Sequence, residues 1–431
     1  MLSSLRYRLN RLFREIWVPI GAYAASGVLA AGVAWVLRGT IPDTWVFKIG
    51  ADAIDSILNI LASSMLAVTT FSLSIMLSAF SSASSTATPR AFTLLKEDHT
   101  AQQVLASFIG AFIFSLVGII SLQVGIYGDG GRVILFVATL LVLTLIIVNL
   151  VRWIGHLTDF GRLGDTVSRV EEATLAAIAR RLEEPWLGAR PMRGRLPEGV
   201  VPVQGGEAGH INFINIGYLD SCAEAAGATI YLDMLPGEFR SVGTPIAYVA
   251  GGPVGPEFDD LLDDIRSSVE ISMVRSFDQD PRFGIIALSE IASRALSPAV
   301  NDPGTAIDVI RRLTRVLGQW DQPAEPDITY PHVFIRSLEV RDLMRDAFMA
   351  IARDGAGIYE VQITLQRSLL ALTALQPGIF GGPAANQSDR AMQHAKDALR
   401  IEADVTHLQE IADEIAATAR AWQERGLLGR I

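Results

Sequence analysis

The chain has 431 residues, 50% of them hydrophobic, and a formal net charge of −10. A positive mean hydropathy beside 19% charged residues requires that apolar and charged residues be segregated along the chain, in a length that suits two or three domains. The acidic balance speaks against a nucleic-acid partner, the single Cys222 excludes an intrachain disulfide or a cysteine metal cluster, and none of Lys48, Lys96 and Lys396 follows a glycine-rich loop, which excludes a P-loop.

The segregation is plain in the order of the residues. Residues 1–158 hold 10 Lys+Arg and 7 Asp+Glu, so 39 of the acidic and 26 of the basic residues lie beyond them. Within residues 1–16, Leu2, Leu5, Leu9 and Leu12 alternate with Arg6, Arg8, Arg11 and Arg14, the pattern of an amphipathic helix lying on a bilayer surface. A targeting sequence is the alternative. Trp17–Leu37 follows, and at about 21 residues it is long enough to span and too long for a cleaved signal core.

The next apolar stretch carries an unusual load of hydroxyls. From Asp52 to Pro89 the polar residues Asp52, Asp55, Ser56, Asn59, Ser63, Thr70, Ser74, Ser78, Ser81 and Ser85 recur at helical spacing, with Ala67 filling one step. A helix wound this way carries one continuous polar stripe. Two readings stay open: the stripe lines a water path when several copies surround an axis, or its small hydroxyl residues pack against neighbouring helices. Ile54–Ser85 would run about 48 Å, beyond a hydrocarbon core of about 30 Å, so the helix should protrude.

Pro89 should end this helix or its extension. Val104–Tyr127 and Val133–Val151 read as two further spans joined by the turn Gly128-Asp129-Gly130-Gly131, which completes a four-helix membrane domain over 17–156. Arginines at the N-terminus, Arg90 and Lys96, then Arg152, Arg162 and Arg169 bias one side; the positive-inside rule places both termini in the cytoplasm and Asp52 and Asp55 at the outer mouth.

Residues 157–199 read as a connecting helix that stops at Pro185, followed by a linker. Residues 200–255 show short apolar runs punctuated by glycine, which predicts a small β-rich domain. Its layout resembles the biotinyl/lipoyl hammerhead, but the lysine such carriers need is missing. Residues 256–431 read as mainly helical. There Glu257, Asp259, Asp260, Asp263 and Asp264 are candidate ligands for a divalent cation, although acids after Pro256 also suit the first turn of a helix. Asp280-Pro281 and Asp302-Pro303 each open an amphipathic run, as N-cap and first helical residue, with Asn301 just before the second. Glu290, Arg294, Asn301 and Asp302 as an active site is the alternative. A long helix over Asn386–Gly426, with Met392, Leu399, Val405, Leu408, Ile411 and Ile415 at heptad-like spacing, suggests self-association.

The stretches AVTTFSLSIMLSAFSSASSTATPRAF and DQDPRFGIIALSEIASRALSPAVNDPGTA resemble those of a bacterial family of predicted multi-spanning membrane proteins of unknown function. The resemblance implies a bacterial inner-membrane location and no reaction. The fold class expected is an α-helical integral membrane domain of four transmembrane helices, followed by a cytoplasmic α+β region with a small β-rich domain and a helical C-terminal part. The function expected is a homo-oligomeric, cation-favouring inner-membrane channel of roughly four to seven copies, since one striped helix cannot enclose a pore. Its partners would be the lipid bilayer, further copies of itself and inorganic cations. A membrane-anchored sensor or scaffold that binds a protein or small ligand is the alternative. No GxSxG, HExxH or nucleotide loop is present, and neither an enzyme nor a cofactor is expected.

Overall fold

The computed structural model describes residues 51–428 except 92–93, 95–97, 125–128, 160 and 322–326, together with isolated helical positions between 18 and 36. The amphipathic segment expected over 1–16 and most of the span expected over Trp17–Leu37 lie outside the described residues. The chain divides into two compact units, one up to Thr166 and one from Val167 onward.

In the first unit, α1 (Ala51–Thr86), α2 (His99–Gln123) and α3 (Asp129–Asp159) are the long apolar helices. Among the described residues these three are long and apolar enough to cross a membrane, over Ala53–Ala83, Thr100–Gln123 and Gly131–Thr158. The structure thus supports a mostly helical N-terminal part with three candidate spans. Ile54, Leu58, Leu61 and Met65 of α1 pack with Val104, Phe108 and Phe114 of α2 and with Leu135 and Ile146 of α3. Gly118 permits this approach, because a Cβ there would stand 3.0 Å from Leu58 Cδ1.

α1 stops at Thr86, and Pro89 opens a single 3₁₀ turn to Ala91. Asp98 restarts the chain as the N-cap of α2, its carboxylate accepting from Ala101 N at 2.8 Å. The helix therefore begins at His99, ahead of the Val104 at which the sequence places the start of the span. After α3 the chain turns through Gly161 at φ +78, where a Cβ would lie 2.7 Å from Ala79 Cβ on α1; glycine answers both the angle and the approach.

The second unit begins on α4 (Leu163–Glu183), ended by Pro185 and a short turn to Gly188. Strands β1 (Ala189–Pro191) and β2 (Val201–Gln204) follow, then β3 (Gly209–Ile214), α5 (Ile216–Ala226), β4 (Ala228–Leu232), β5 (Phe239–Arg240) and β6 (Pro245–Gly251). After α6 (Pro256–Ser267) and β7 (Val269–Ser272), two helices α7 (Pro281–Ala295) and α8 (Pro303–Leu317) lead to β8 (Tyr330–Ile335). Four helices finish the chain: α9 (Val340–Asp354), α10 (Tyr359–Leu375), α11 (Pro377–Ala398) and α12 (Glu402–Leu428).

The strands form two sheets, ordered β1-β8-β4-β6-β2 and β5-β3-β7. β8 lies parallel to both β1 and β4, while β6 runs antiparallel to β4 and β2. Strands from outside 200–255 thus complete the β region: β1 precedes it, β7 and β8 follow it. β8 is an interior strand of the five-stranded sheet: Val333 and Ile335 are buried there and Phe334 stacks on Tyr231, its register partner, at 5.0 Å. The region also contains α5, so its topology is a mixed sheet with a helix and not a hammerhead.

Helices α7 to α12 pack on one another. The expected single helix over Asn386–Gly426 is two helices, broken at Leu399–Ile401. Leu408, Ile411 and Ile415 are buried inside the unit, as is Met392 on α11. Four of the six heptad-like residues are therefore buried within the unit, where α12 packs on α10 and α11.

Candidate functional site

The sequence marks three places as candidates: the polar stripe, the acidic run after Pro256 and the two Asp-Pro starts. On α1 the stripe is a structural fact for its central residues. Ser56, Asn59, Ser63, Thr70, Ser74, Ser78 and Ser81 are exposed and Asp55 is half-buried. Asp52 and Ser85 belong to the same helix, but their side chains lie outside the described residues. The buried residues Ile54, Leu58, Leu61, Ala62, Met65, Met76 and Ala83 take the opposite face. At about 100° per residue, Ser74 sits half a turn from Met65 and Ala83, so the stripe is centred opposite the seam with α2.

Large apolar side chains flank the stripe. Leu66 is 51% exposed and Phe71 66%. A polar strip bordered by apolar shoulders suits a helix whose shoulders meet neighbours while its centre meets water. The polar groups are also bonded locally: Ser63 Oγ donates to Asn59 O at 2.9 Å, Thr70 Oγ1 to Ala67 O at 2.9 Å and Ser74 Oγ to Thr70 O at 2.9 Å. Asn59 Nδ2 donates to Asp55 Oδ2 at 3.0 Å. Such back-bonding lowers the cost of exposing a hydroxyl to lipid, while each hydroxyl oxygen retains a lone pair for a further partner. Sequence reasoning missed Ser72, which is 1% exposed on the packed face with its hydroxyl unpartnered. Its place one face away from the stripe was the available signal.

The acidic run lies on α6, where Pro256 occupies the first position and Glu257 and Asp259 the first turn. Glu257, Asp260 and Asp264 share with Cys222 the wall of an open cleft of about 630 Å³. Asp264 Oδ1 accepts from Tyr218 O–H at 2.6 Å, a bond that holds the phenol proton and raises its pKa, and Asp263 pairs with Arg266. Desolvation pushes the Cys222 thiol up, away from nucleophilic use. Among the described residues, no group of three or more His, Cys, Asp or Glu side chains is placed to hold a metal ion.

The first Asp-Pro start is buried and heavily bonded. Asp280 is 2% exposed; its Oδ1 accepts from Arg282 N and Phe283 N, and its Oδ2 from Arg275 Nε at 2.9 Å. Pro281 fixes the first helical φ beside that cap. Around it, Gln279 behaves like a missing strand residue, accepting from Ile214 N at 2.9 Å and donating to Ile214 O at 3.2 Å. Arg180 donates to the carbonyls of Phe277 and Asp278, and Arg181 to that of Gln279. One short segment therefore joins α4, β3 and α7.

The second start is more open. Asn301 adopts a left-handed φ of +51, and Asp302 Oδ1 accepts from Thr305 N at 3.0 Å, with Thr305 Oγ1 donating to Oδ2 at 2.5 Å. Those bonds hold the Asp302 carboxyl below the usual aspartate range. Pro303 follows as the first helical residue. Between the helices α4 and α8, Glu171, 3% exposed, accepts from Arg312 Nη1 at 2.7 Å and Arg315 Nε at 2.6 Å. Neither start gathers a nucleophile with a base; both organise helices.

A family model described as Predicted membrane protein (DUF2254) matches residues 14–371. Uncharacterized proteins of Mycobacterium bovis and of Mycobacterium tuberculosis strain H37Rv are each 27% identical to the chain over 340 residues, a stretch that covers 76% of this chain and 64% of each relative. The chain thus spans less than two thirds of the length of those relatives. No solved structure matches it. Because the family model takes in both the striped helix and the two Asp-Pro starts, and most of the chain besides, the chain belongs to the DUF2254 family of predicted membrane proteins.

Proposed function

We propose that the chain is the subunit of a homo-oligomeric, cation-favouring channel in a bacterial inner membrane, with the polar face of α1 toward the conduction path. The observation that carries this reading is the position of the stripe: it lies opposite the face α1 uses to pack on α2, and its central residues are exposed. Asp52 and Asp55 would form carboxylate rings at one mouth, and Asn59, Ser63, Thr70, Ser74 and Ser78 the uncharged lining. Four spans, counting Trp17–Leu37, would put both termini on one side, the cytoplasmic side by the positive-inside rule, where the C-terminal unit would frame or gate the path. Enclosing a pore takes several copies, roughly four to seven.

The test is single-channel recording from purified protein in planar bilayers under a salt gradient. Discrete cation-selective openings are expected, with selectivity reduced in the Asp52→Asn, Asp55→Asn double variant. Selectivity unchanged by that variant would remove the two carboxylates from the mechanism, and silence across voltage and tension would remove the channel. One observation favours a second reading, a membrane-anchored sensor or scaffold: the stripe hydroxyls bond their own helix, so the helix can stand in lipid without a water path.

A further inference from the structure

In the C-terminal unit, the end of α4 and the turn after it meet the segments at 320 and 337 around a small space of about 30 Å³. Arg181, Pro185, Trp186, Trp320, Asp321 and Ser337 are among its walls. A space of that size admits one water molecule or one monatomic ion. Three of its walls carry groups that can donate a hydrogen bond: the Arg181 guanidinium, the Trp320 indole N–H and the Ser337 hydroxyl.

Arg181 is 7% exposed, and desolvation lowers its pKa to about 10. One Nη bonds the carbonyl of Gln279, while the carboxylate that offsets its charge, Asp280, is already engaged by Arg275 and two backbone N–H groups. Trp320 is 5% exposed and its buried indole N–H has no partner. A buried donor left unmade costs about 1–3 kcal/mol, so an absent acceptor is a site in want of a ligand. Ser337 Oγ accepts from Trp186 Nε1 at 2.9 Å, which leaves its own O–H to donate. Trp186 is held in that position by a left-handed backbone, with φ +52 followed by +56 at Leu187. Asp321 is the carboxylate among the walls, and it is exposed.

We propose that this space binds one small monovalent anion of halide size, between the Arg181 guanidinium, the Trp320 indole N–H and the Ser337 hydroxyl. The site is independent of the channel reading, since it lies in the C-terminal unit and needs no pore.

The test follows thermal unfolding of the full chain in detergent as chloride or bromide replaces gluconate at constant ionic strength. A ligand that binds only the folded state raises the midpoint along a saturating curve. Wild type should show that saturable rise. Trp320→Phe keeps the ring and removes the N–H, and Ser337→Ala removes the hydroxyl; each should weaken apparent halide affinity about tenfold, the worth of one charge-assisted hydrogen bond. A midpoint that does not depend on the anion, or a halide effect of equal size and midpoint concentration in both variants, would overturn the proposal and leave the space to water.

Discussion

At the scale of the residue, the two Asp-Pro starts show how the same local chemistry serves different surroundings. Asp302 caps α8 at a partly exposed site. Asp302→Ala should cost about 1 kcal/mol, the usual worth of an N-cap, measured by denaturant unfolding of the full chain. Asp302→Asn should retain most of that stability near neutral pH. Because folding lowers the Asp302 pKa, its contribution is fully present above the unfolded value near 3.9 and fades as pH falls through the folded value. Wild type should therefore lose stability more steeply than Asp302→Asn below about pH 4; parallel curves would refute this. Gly284 offers a steric counterpart. A Cβ there would lie 1.9 Å from Thr174 Oγ1, so Gly284→Ala should destabilise by about 1–3 kcal/mol, and pairing it with Thr174→Ala should recover part of the loss.

At the scale of the element, α4 is tied to two neighbours by side-chain bonds. Its Glu171 bonds two arginines of α8, and its Arg180 and Arg181 bond the segment before α7. Glu171→Ala leaves Arg312 with Asp308 and Ser168 but strips a buried carboxylate, and a loss of about 3 kcal/mol is expected from chemical unfolding. A loss under about 0.5 kcal/mol would mean the pair behaves as an exposed one.

This scale also shows what the sequence could and could not reveal. The caps at Asp280 and Asp302 were legible because Asp-Pro before an amphipathic run is a local signal, and the α1 stripe because a period of 3.6 needs no partner to be seen. β8 was harder to place: a short apolar run such as VFI does not name its neighbours, and its parallel pairing to β1 and β4 is set by contacts more than a hundred residues apart in the chain. α12 shows a related limit. Apolar residues at heptad spacing look alike whether they meet another copy or α10 and α11 of the same chain. Leu408→Ala should accordingly lower stability by about 2–5 kcal/mol without changing the oligomeric state, as light scattering would show.

At the scale of the whole molecule, composition already separated an apolar N-terminal block from an acidic remainder, and the two compact units meet within ten residues of that division. The channel account depends on one property of the first unit: the outward face of α1 combines a hydroxyl strip with apolar shoulders, and the account requires water along the strip. Substituted-cysteine labelling reads this directly, and the single native thiol makes it practicable in a Cys222→Ser background. Single cysteines at Asn59, Ser63, Thr70, Ser74 and Ser78, on the shoulders Leu66 and Phe71, and on the packed face at Met65 would be exposed in membranes to a charged, impermeant thiol reagent. The account predicts that the five stripe positions react and the shoulder and packed positions do not. Stripe cysteines no more reactive than Leu66→Cys and Phe71→Cys would contradict it and leave α1 as a lipid-facing or helix-packing anchor.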